Sequence, residues 1–177
     1  MNTMKKTIKE KDPQKEFIIA TNFLFAAMIM FIIILTAHLA VVINGAVNAV
    51  SNVYGTASAA VRADILDYYS CRIVDILTVI AVAVIGFEIS RRFKRDKTPF
   101  VPYIGKGLRI MAGVMLGGYL IMCAFHIVVP NIAGAAPPNE FHGYINGTSM
   151  VLVSILCMLS YIFDYGCKLQ KESDETL

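Results

Sequence analysis

Three ionisable residues lie inside long apolar stretches of this sequence: His38, Asp75 and His126. A charged side chain at the centre of a bilayer costs about 2.5–3.5 kcal/mol, so such residues call for an explanation. Counted from the ends of their apolar stretches, the three lie at a similar depth. A set of histidine and carboxylate side chains can bind a metal ion, relay protons or sense pH. The plainer interpretation, which we favour, is that these side chains form hydrogen bonds between helices or rest at the membrane interface.

Motifs for enzymatic chemistry are absent from the sequence. No nucleophile elbow, no H-E-x-x-H zinc motif and no phosphate-binding P-loop occurs. The cysteines are widely spaced and form no C-x-x-C pair, which argues against a zinc site or a disulfide framework. They are Cys71, Cys123, Cys157 and Cys167. We therefore predict a protein that is not an enzyme and that holds no cofactor and no metal ion.

The elements that must position these residues are membrane helices. Of the 177 residues, 56% are hydrophobic and 16% are charged, and the mean hydropathy is +0.62. A soluble protein carries about 25% charged residues, whereas a spanning helix needs about 20 mainly apolar ones. We predict an all-α polytopic membrane protein with four transmembrane helices, the third of which ends at Pro130. The predicted spans are 17–43, 73–90, 108–129 and 148–165.

The basic residues predict the orientation of these helices. All but Arg62 and Arg72 of the 16 lysines and arginines lie near the two termini or between the second and third spans. By the positive-inside rule, both termini and the middle loop are cytoplasmic. The predicted layout is a cytoplasmic segment at 1–16, a transmembrane domain at 17–166 and a cytoplasmic tail at 167–177. Within that domain we expect an outer helical segment at 45–70 and a basic cytoplasmic loop at 91–107.

The basic loop has two interpretations. One is a topology signal that also attracts anionic lipid head groups. The other is a docking site for a protein or a nucleic acid. Aromatic residues do not interleave with the lysines and arginines as they do on a nucleic-acid surface. We therefore expect the lipid bilayer as a partner and no direct nucleic-acid binding.

Gly113 and Gly117 form a G-x-x-x-G pair in the third apolar stretch. Glycines at this spacing let a second helix backbone approach closely. We expect this face to pack against a neighbouring helix of the same chain. A homo-oligomer that forms through the same two glycines is the alternative.

An apolar stripe in the fourth stretch continues past the expected membrane edge at Tyr165. Its members recur every three or four residues and are Ile155, Leu159, Ile162, Gly166 and Leu169. We predict that the fourth helix extends into the cytoplasm by one or two turns. Because Gly166 lowers helix stability by about 1 kcal/mol relative to alanine, its presence indicates that another element approaches closely there.

Two stretches carry a resemblance to a known family: "RRFKRDKTPFVPYIGKGLRIMAG" in the middle and "FDYGCKLQKESDETL" at the C-terminus. They are similar to the basic loop and the closing signature of the bacterial domain-of-unknown-function 2975 family. The matching positions are Pro99, Phe100, Leu108, Arg109, Gly166, Leu169, Gln170, Asp174 and Thr176. The family loop often has a serine or threonine that caps the next helix, where this chain has Val101 before Pro102.

The resemblance implies a small four-helix bundle in the bacterial plasma membrane, from a family with no established activity. Members of the family are often found beside a very small helix-turn-helix regulator, which the resemblance therefore implies as a partner.

Two functions follow as hypotheses. The first is an interaction or regulatory protein that docks or tethers a soluble cytoplasmic partner, such as a small helix-turn-helix regulator. The residues expected to dock it are Pro99, Phe100, Arg109, Gly166, Leu169, Gln170, Asp174 and Thr176. The alternative is a small transporter or sensor that binds an ion or small ligand near the outer leaflet, through His38, Asp75 and His126.

Overall fold

Four α-helices make up most of the chain that the computed structural model describes, which is residues 13–96, 101–134 and 147–176. They are α1 (Pro13–Ala49), α2 (Ala59–Asp96), α3 (Pro102–Ala133) and α4 (Gly147–Glu175). No strand occurs within these described ranges. All four helices are long and apolar enough to span a membrane. The prediction of an all-α protein with four candidate spans is thereby confirmed.

The helices are longer than the apolar stretches that predicted them. With 38 residues at a rise of 1.5 Å each, α2 is about 57 Å long, whereas the hydrocarbon core of a bilayer is about 30 Å thick. Much of the predicted basic loop is helical, because residues 91–96 end α2 and residues 102–107 begin α3. The predicted outer segment at 45–70 is no separate element either. It consists of the end of α1, a short connection and the start of α2.

A π-helical turn at Val50–Tyr54 and residues 55–58 connect α1 to α2. Ser58 then caps α2, because its Oγ accepts the amide of Val61 at 3.4 Å. That amide is one of the donors that the first turn of a helix leaves without a helical partner. A connection this short places α1 and α2 side by side and antiparallel.

Each helix packs against its neighbours in the chain, in the order α1, α2, α3, α4. Among the described residues, α1 packs only on α2 and on the turn that follows α1, and α4 packs only on α3. The outer faces of α1 and α4 are consequently apolar and exposed, as Phe23 at 77% and Met158 at 65% illustrate. Lipid tails are as apolar as leucine and cover such faces in a membrane. The four-helix bundle is therefore open along its α1 and α4 edges.

The antiparallel order gives the molecule two ends. We call the end that holds the start of α1, the end of α2, the start of α3 and the end of α4 the terminal end. The opposite end is the far end. Towards the terminal end, aromatic rings join α1 to α2. The ring centroids of Phe17 and Phe93 are 6.3 Å apart in an edge-to-face arrangement, and those of Phe25 and Phe87 are 4.6 Å apart.

Glycines on α3 bring that helix close to α2. A Cβ added to Gly107 would meet a side chain of α2 at 2.8 Å, and one added to Gly118 would collide with Thr78. Around Gly113 and Gly117, by contrast, no atom of the described residues lies within 4 Å of such a Cβ. The expectation that this G-x-x-x-G pair packs against a helix of the same chain is therefore wrong. The rotation of α3 turns Gly107 and Gly118 towards α2 instead.

The start of α3 has no side-chain cap, whereas its end has a common glycine cap. Val101 supplies no side-chain cap, and Pro102 occupies the first position, where its missing amide is not needed. At the other end, the prediction that Pro130 ends the helix is wrong. The helix continues to Ala133, and Gly134 terminates it in the left-handed conformation with φ of 69°.

Candidate functional site

A polar cluster ties α4 to α3 at the terminal end. The guanidinium of Arg109 on α3 donates to the carboxylate of Asp164 on α4 at 2.5 Å and to Ser160 Oγ at 3.0 Å. Ser160 Oγ in turn donates to the carbonyl of Gly105 at 2.9 Å. We call Gly105, Arg109, Ser160 and Asp164 the α3–α4 clamp. The clamp joins α3 to α4. Within the described residues, these two helices are not linked by a short connection.

Burial of Ser160 and close approach at Gly105 hold the clamp together. Ser160 is fully buried, so its hydrogen bonds are shielded from water, and leaving such a group unsatisfied costs about 1–3 kcal/mol. Gly105 admits α4 because it has no side chain. A Cβ there would lie 3.2 Å from the backbone carbonyl oxygen of Ser160 and would collide with Asp164. The Arg109 and Asp164 side chains are 45% and 34% exposed, so water weakens their attraction, and their pairing chiefly fixes the direction of α4.

Beyond the clamp, α4 continues as a helix to Glu175, which confirms that it extends past its predicted span. Lys171 pairs with Glu175 at 3.6 Å across one turn. At the end of the helix, the hydroxyl of Thr176 donates to the carbonyl of Ser173 at 2.9 Å. We call residues 166–176 the tail helix.

The tail helix carries four of the eight predicted docking residues on its exposed surface. These residues are Leu169, Gln170, Asp174 and Thr176, and all of them are exposed. Leu169 is 47% exposed although it is apolar. An apolar side chain among polar neighbours on a projecting helix gives a soluble partner both a hydrophobic anchor and a polar rim.

The other predicted docking residues have different environments. Gly166 is half-buried at the base of the tail helix. Arg109 is engaged in the α3–α4 clamp, so it positions the tail helix rather than offering a free surface. Pro99 and Phe100 lie outside the described residues.

Part of the predicted basic loop makes contacts with other side chains of the same molecule. The guanidinium of Arg92 lies 3.6 Å from the centre of the Tyr103 ring and 3.0 Å from the carboxylate of Glu88. Glu88 also pairs with Arg91 at 3.1 Å. Arg91 and Arg95 are 64% and 67% exposed. They are more accessible to solvent than Arg92, and Arg95 also pairs with Asp96 at 2.9 Å.

A groove of about 530 Å³ lies between the start of α3 and the base of the tail helix. Its walls are formed by Pro102, Tyr161, Asp164, Tyr165, Cys167, Lys168 and Lys171. Burial raises the pKa of the Cys167 thiol, and the nearby carboxylate of Asp164 raises it further. Because the thiolate is the reactive form, Cys167 has little nucleophilic character at neutral pH.

A second polar cluster is buried between α2 and α3 at the far end. His126 Nδ1 lies 3.1 Å from a carboxylate oxygen of Asp67, and the two side chains are only 9% and 7% exposed. The other carboxylate oxygen of Asp67 accepts a hydrogen bond from Cys71 Sγ at 3.5 Å. We call Asp67, Cys71 and His126 the buried cluster.

The buried cluster has the geometry of a structural pair rather than of a catalytic one. A cysteine nucleophile needs a base beside it, but here Asp67 stands between the thiol of Cys71 and the imidazole of His126. Over the described residues, no group of three or more His, Cys, Asp and Glu side chains is placed to hold a metal ion. The cluster joins α2 to α3 by hydrogen bonds that are strong because water is excluded.

The structure gives each member of the predicted outer set a different environment. His38 is exposed on α1. Asp75 lies 3.9 Å from Arg72 on its own helix, and His126 belongs to the buried cluster. His126 contacts Asp67, which lies in the predicted outer segment at 45–70 rather than in a predicted span.

A sequence signal for Asp67 was present. Ala63, Asp67 and Cys71 recur every four residues, and all three are buried. This spacing extends one face of α2 beyond the predicted span, as the period of an α-helix allows.

Comparisons of the chain with protein-family models, with curated proteins and with solved structures find no match.

Proposed function

We propose that this chain is a multi-pass protein of the bacterial plasma membrane that docks or tethers a soluble cytoplasmic partner through its tail helix. Both termini are cytoplasmic in this proposal, so the terminal end of the molecule faces the cytoplasm. The partner is a small helix-turn-helix regulator, as the resemblance to the domain-of-unknown-function 2975 family suggests.

The observation that carries the proposal is the attachment of an exposed helix to α3 by hydrogen bonds that include a buried serine. The tail helix leaves the membrane domain at the α3–α4 clamp, where Ser160 is fully buried and Asp164 is bonded to Arg109. Its outer surface, with Leu169 at 47% exposure, is free for contact. A surface that is already ordered loses less conformational entropy on binding, and this favours affinity.

The charges of the tail helix support a basic partner. Its last two turns carry Glu172, Asp174 and Glu175 together with Lys171, all of them exposed, so their net charge is negative. A regulator that binds nucleic acid presents a basic surface, and opposite charges across an interface speed encounter and fix orientation. The exposed Arg91 and Arg95 are suited to anionic lipid head groups, which agrees with a cytoplasmic position for this end.

Alanine at Leu169, Gln170 and Asp174 together should reduce recovery of the partner by about tenfold or more, since a few anchor residues carry most of the energy of an interface. The measurement is affinity purification of the full-length protein from the host bacterium, with quantitative mass spectrometry of the regulator recovered. Met158→Ala is the matched control, because Met158 lies on the same helix, is 65% exposed and falls within the predicted span.

Equal recovery of the regulator with the triple variant and with wild type would contradict docking at the tail helix. His38→Leu and Asp75→Asn should leave recovery unchanged under the docking proposal.

The second candidate is a small transporter or sensor that binds an ion or small ligand near the outer leaflet. The observation that favours it is the buried contact between Asp67 and His126, because ionisable residues at membrane depth often serve transport or sensing. Under this candidate the tail variants would be silent, and changes at the far end would alter the response of the protein.

A further inference from the structure

A cavity of about 170 Å³ lies between α2, α3 and α4, towards the far end of the molecule. Its origin is the way the three helices pack. Thr78 of α2 sits against Gly118 of α3, which brings those helices close. Within the described residues α4 packs on α3 but not on α2, so a gap remains on the α2–α4 side. Ser149 and Leu152 line this gap from α4.

The lining of the cavity is mainly apolar, and its polar groups come from Asp75, Thr78, Tyr119 and Ser149. Val79, Met122 and Leu152 supply aliphatic and thioether surface, and Tyr119 supplies an aromatic ring. Asp75 supplies a carboxylate. A carboxylate at the border of an apolar chamber that includes an aromatic ring matches one chemical class, a cation with an apolar body. The carboxylate pairs with the charge, the ring attracts it through its π face, and the walls bury the remainder.

Asp75 is able to take such a partner. Its present contact with Arg72 spans 3.9 Å, and the two side chains are 41% and 45% exposed. An ion pair of that length and exposure contributes little, about 0–1 kcal/mol. A ligand ammonium in direct contact can therefore compete with Arg72 for the carboxylate.

The size of the cavity limits the ligand. An engineered apolar cavity of about 150 Å³ in another protein binds benzene. A chamber of about 170 Å³ has room for one ring or a short branched chain together with an ammonium group, and it is too small for a drug-sized molecule. We propose that this cavity is a binding site for a small primary amine with an apolar body, and that Asp75 is its counter-ion.

This site is independent of the docking proposal. It lies on α2, α3 and α4 towards the far end, and it shares no residue with the tail helix. Loss of partner capture by the tail variants therefore says nothing about the cavity, and failure of amine binding says nothing about docking.

The test is ligand-observed ¹⁹F NMR of 4-fluorobenzylamine, titrated against the full-length protein in lipid nanodiscs, with empty nanodiscs to correct for partitioning into lipid. Wild type should show saturable binding. Asp75→Asn should weaken it by about tenfold or more, because this change removes the charge and keeps the shape. Asp64→Asn is the matched control, because Asp64 is exposed on the same helix, and it should bind as wild type does.

Filling the chamber and removing the ligand charge complete the test. Leu152→Phe should abolish binding, and Val79→Phe does the same from α2 if the first variant fails to assemble. The neutral analogue 4-fluorobenzyl alcohol should bind at least about tenfold more weakly than the amine. Equal binding of the amine to Asp75→Asn, equal binding of the alcohol, or no saturable signal above empty nanodiscs would each overturn the proposal.

Discussion

Gly105→Ala should destabilise the packing of α3 against α4, although alanine is the better helix former. A Cβ at this position would lie 2.9 Å from Cγ of Asp164 and 3.2 Å from the backbone oxygen of Ser160. The backbone oxygen cannot move without its helix, so α4 must shift away and the hydrogen bonds of Arg109 must lengthen. Overpacking of this kind costs about 1–3 kcal/mol, which exceeds the gain of up to about 1 kcal/mol in helix propensity.

Gly113→Ala in the same helix is the matched control, because nothing in the described part of the chain lies within 4 Å of a Cβ there. It should be as stable as wild type or more stable. Thermal unfolding in detergent micelles measures both variants, and spin-label distances between Lys106 and Lys168 report the separation of α3 and α4. If Gly105→Ala were as stable as Gly113→Ala, with an unchanged distance, the close approach at the clamp would be refuted.

Asp67→Ala should destabilise the protein by about 3 kcal/mol, because it removes one partner of a buried pair. His126 loses the carboxylate oxygen at 3.1 Å, and Cys71 loses the acceptor of its hydrogen bond. The substitution also leaves a void, because the Cys71 and His126 side chains that contact Asp67 are both buried. The expected result is a lower melting temperature in micelles, with α2 and α3 separating at the far end.

Asp64→Ala provides the comparison for this substitution. Asp64 precedes Asp67 by three residues on α2 and is exposed, so its removal should change stability by no more than about 0.5 kcal/mol. The stability of Asp67→Asn should lie between those of Asp67→Ala and Asp64→Ala, since the amide oxygen still accepts a hydrogen bond while the charge is gone. If Asp67→Ala had the same melting temperature as Asp64→Ala, the buried cluster would contribute little to the stability of the fold.

The stretches of the chain that form helices could be predicted, because helix formation depends on local sequence. Long apolar stretches predicted all four helices, and the stripe that ends in Leu169 predicted that α4 continues past its span. The predicted boundaries were too short at the ends of α2 and α3, because polar residues such as Arg95 continue a helix when it projects beyond the lipid.

The faces of the helices could not be predicted in the same way. Gly105, Gly113 and Gly118 are chemically identical, and only the rotation of α3 decides which of them meet a neighbour. That rotation depends on distant contacts such as Arg109 with Asp164. The same limit applies to the polar residues of α2, because Asp67 and Asp75, eight residues apart, differ by about 80° around a helix. The depth of a residue along its helix says nothing about the rotation of that helix, so depth alone did not identify the carboxylate that His126 contacts.

The most direct test of the docking proposal is photocrosslinking in living cells from an unnatural amino acid at Leu169, with the captured proteins identified by mass spectrometry. A crosslinker at Met158, on the same helix but within the predicted span, serves as the control. The proposal predicts that Leu169 captures a small helix-turn-helix regulator and that Met158 does not. Capture of only lipid and copies of this protein from Leu169 would contradict the proposal that the tail helix docks a cytoplasmic regulator.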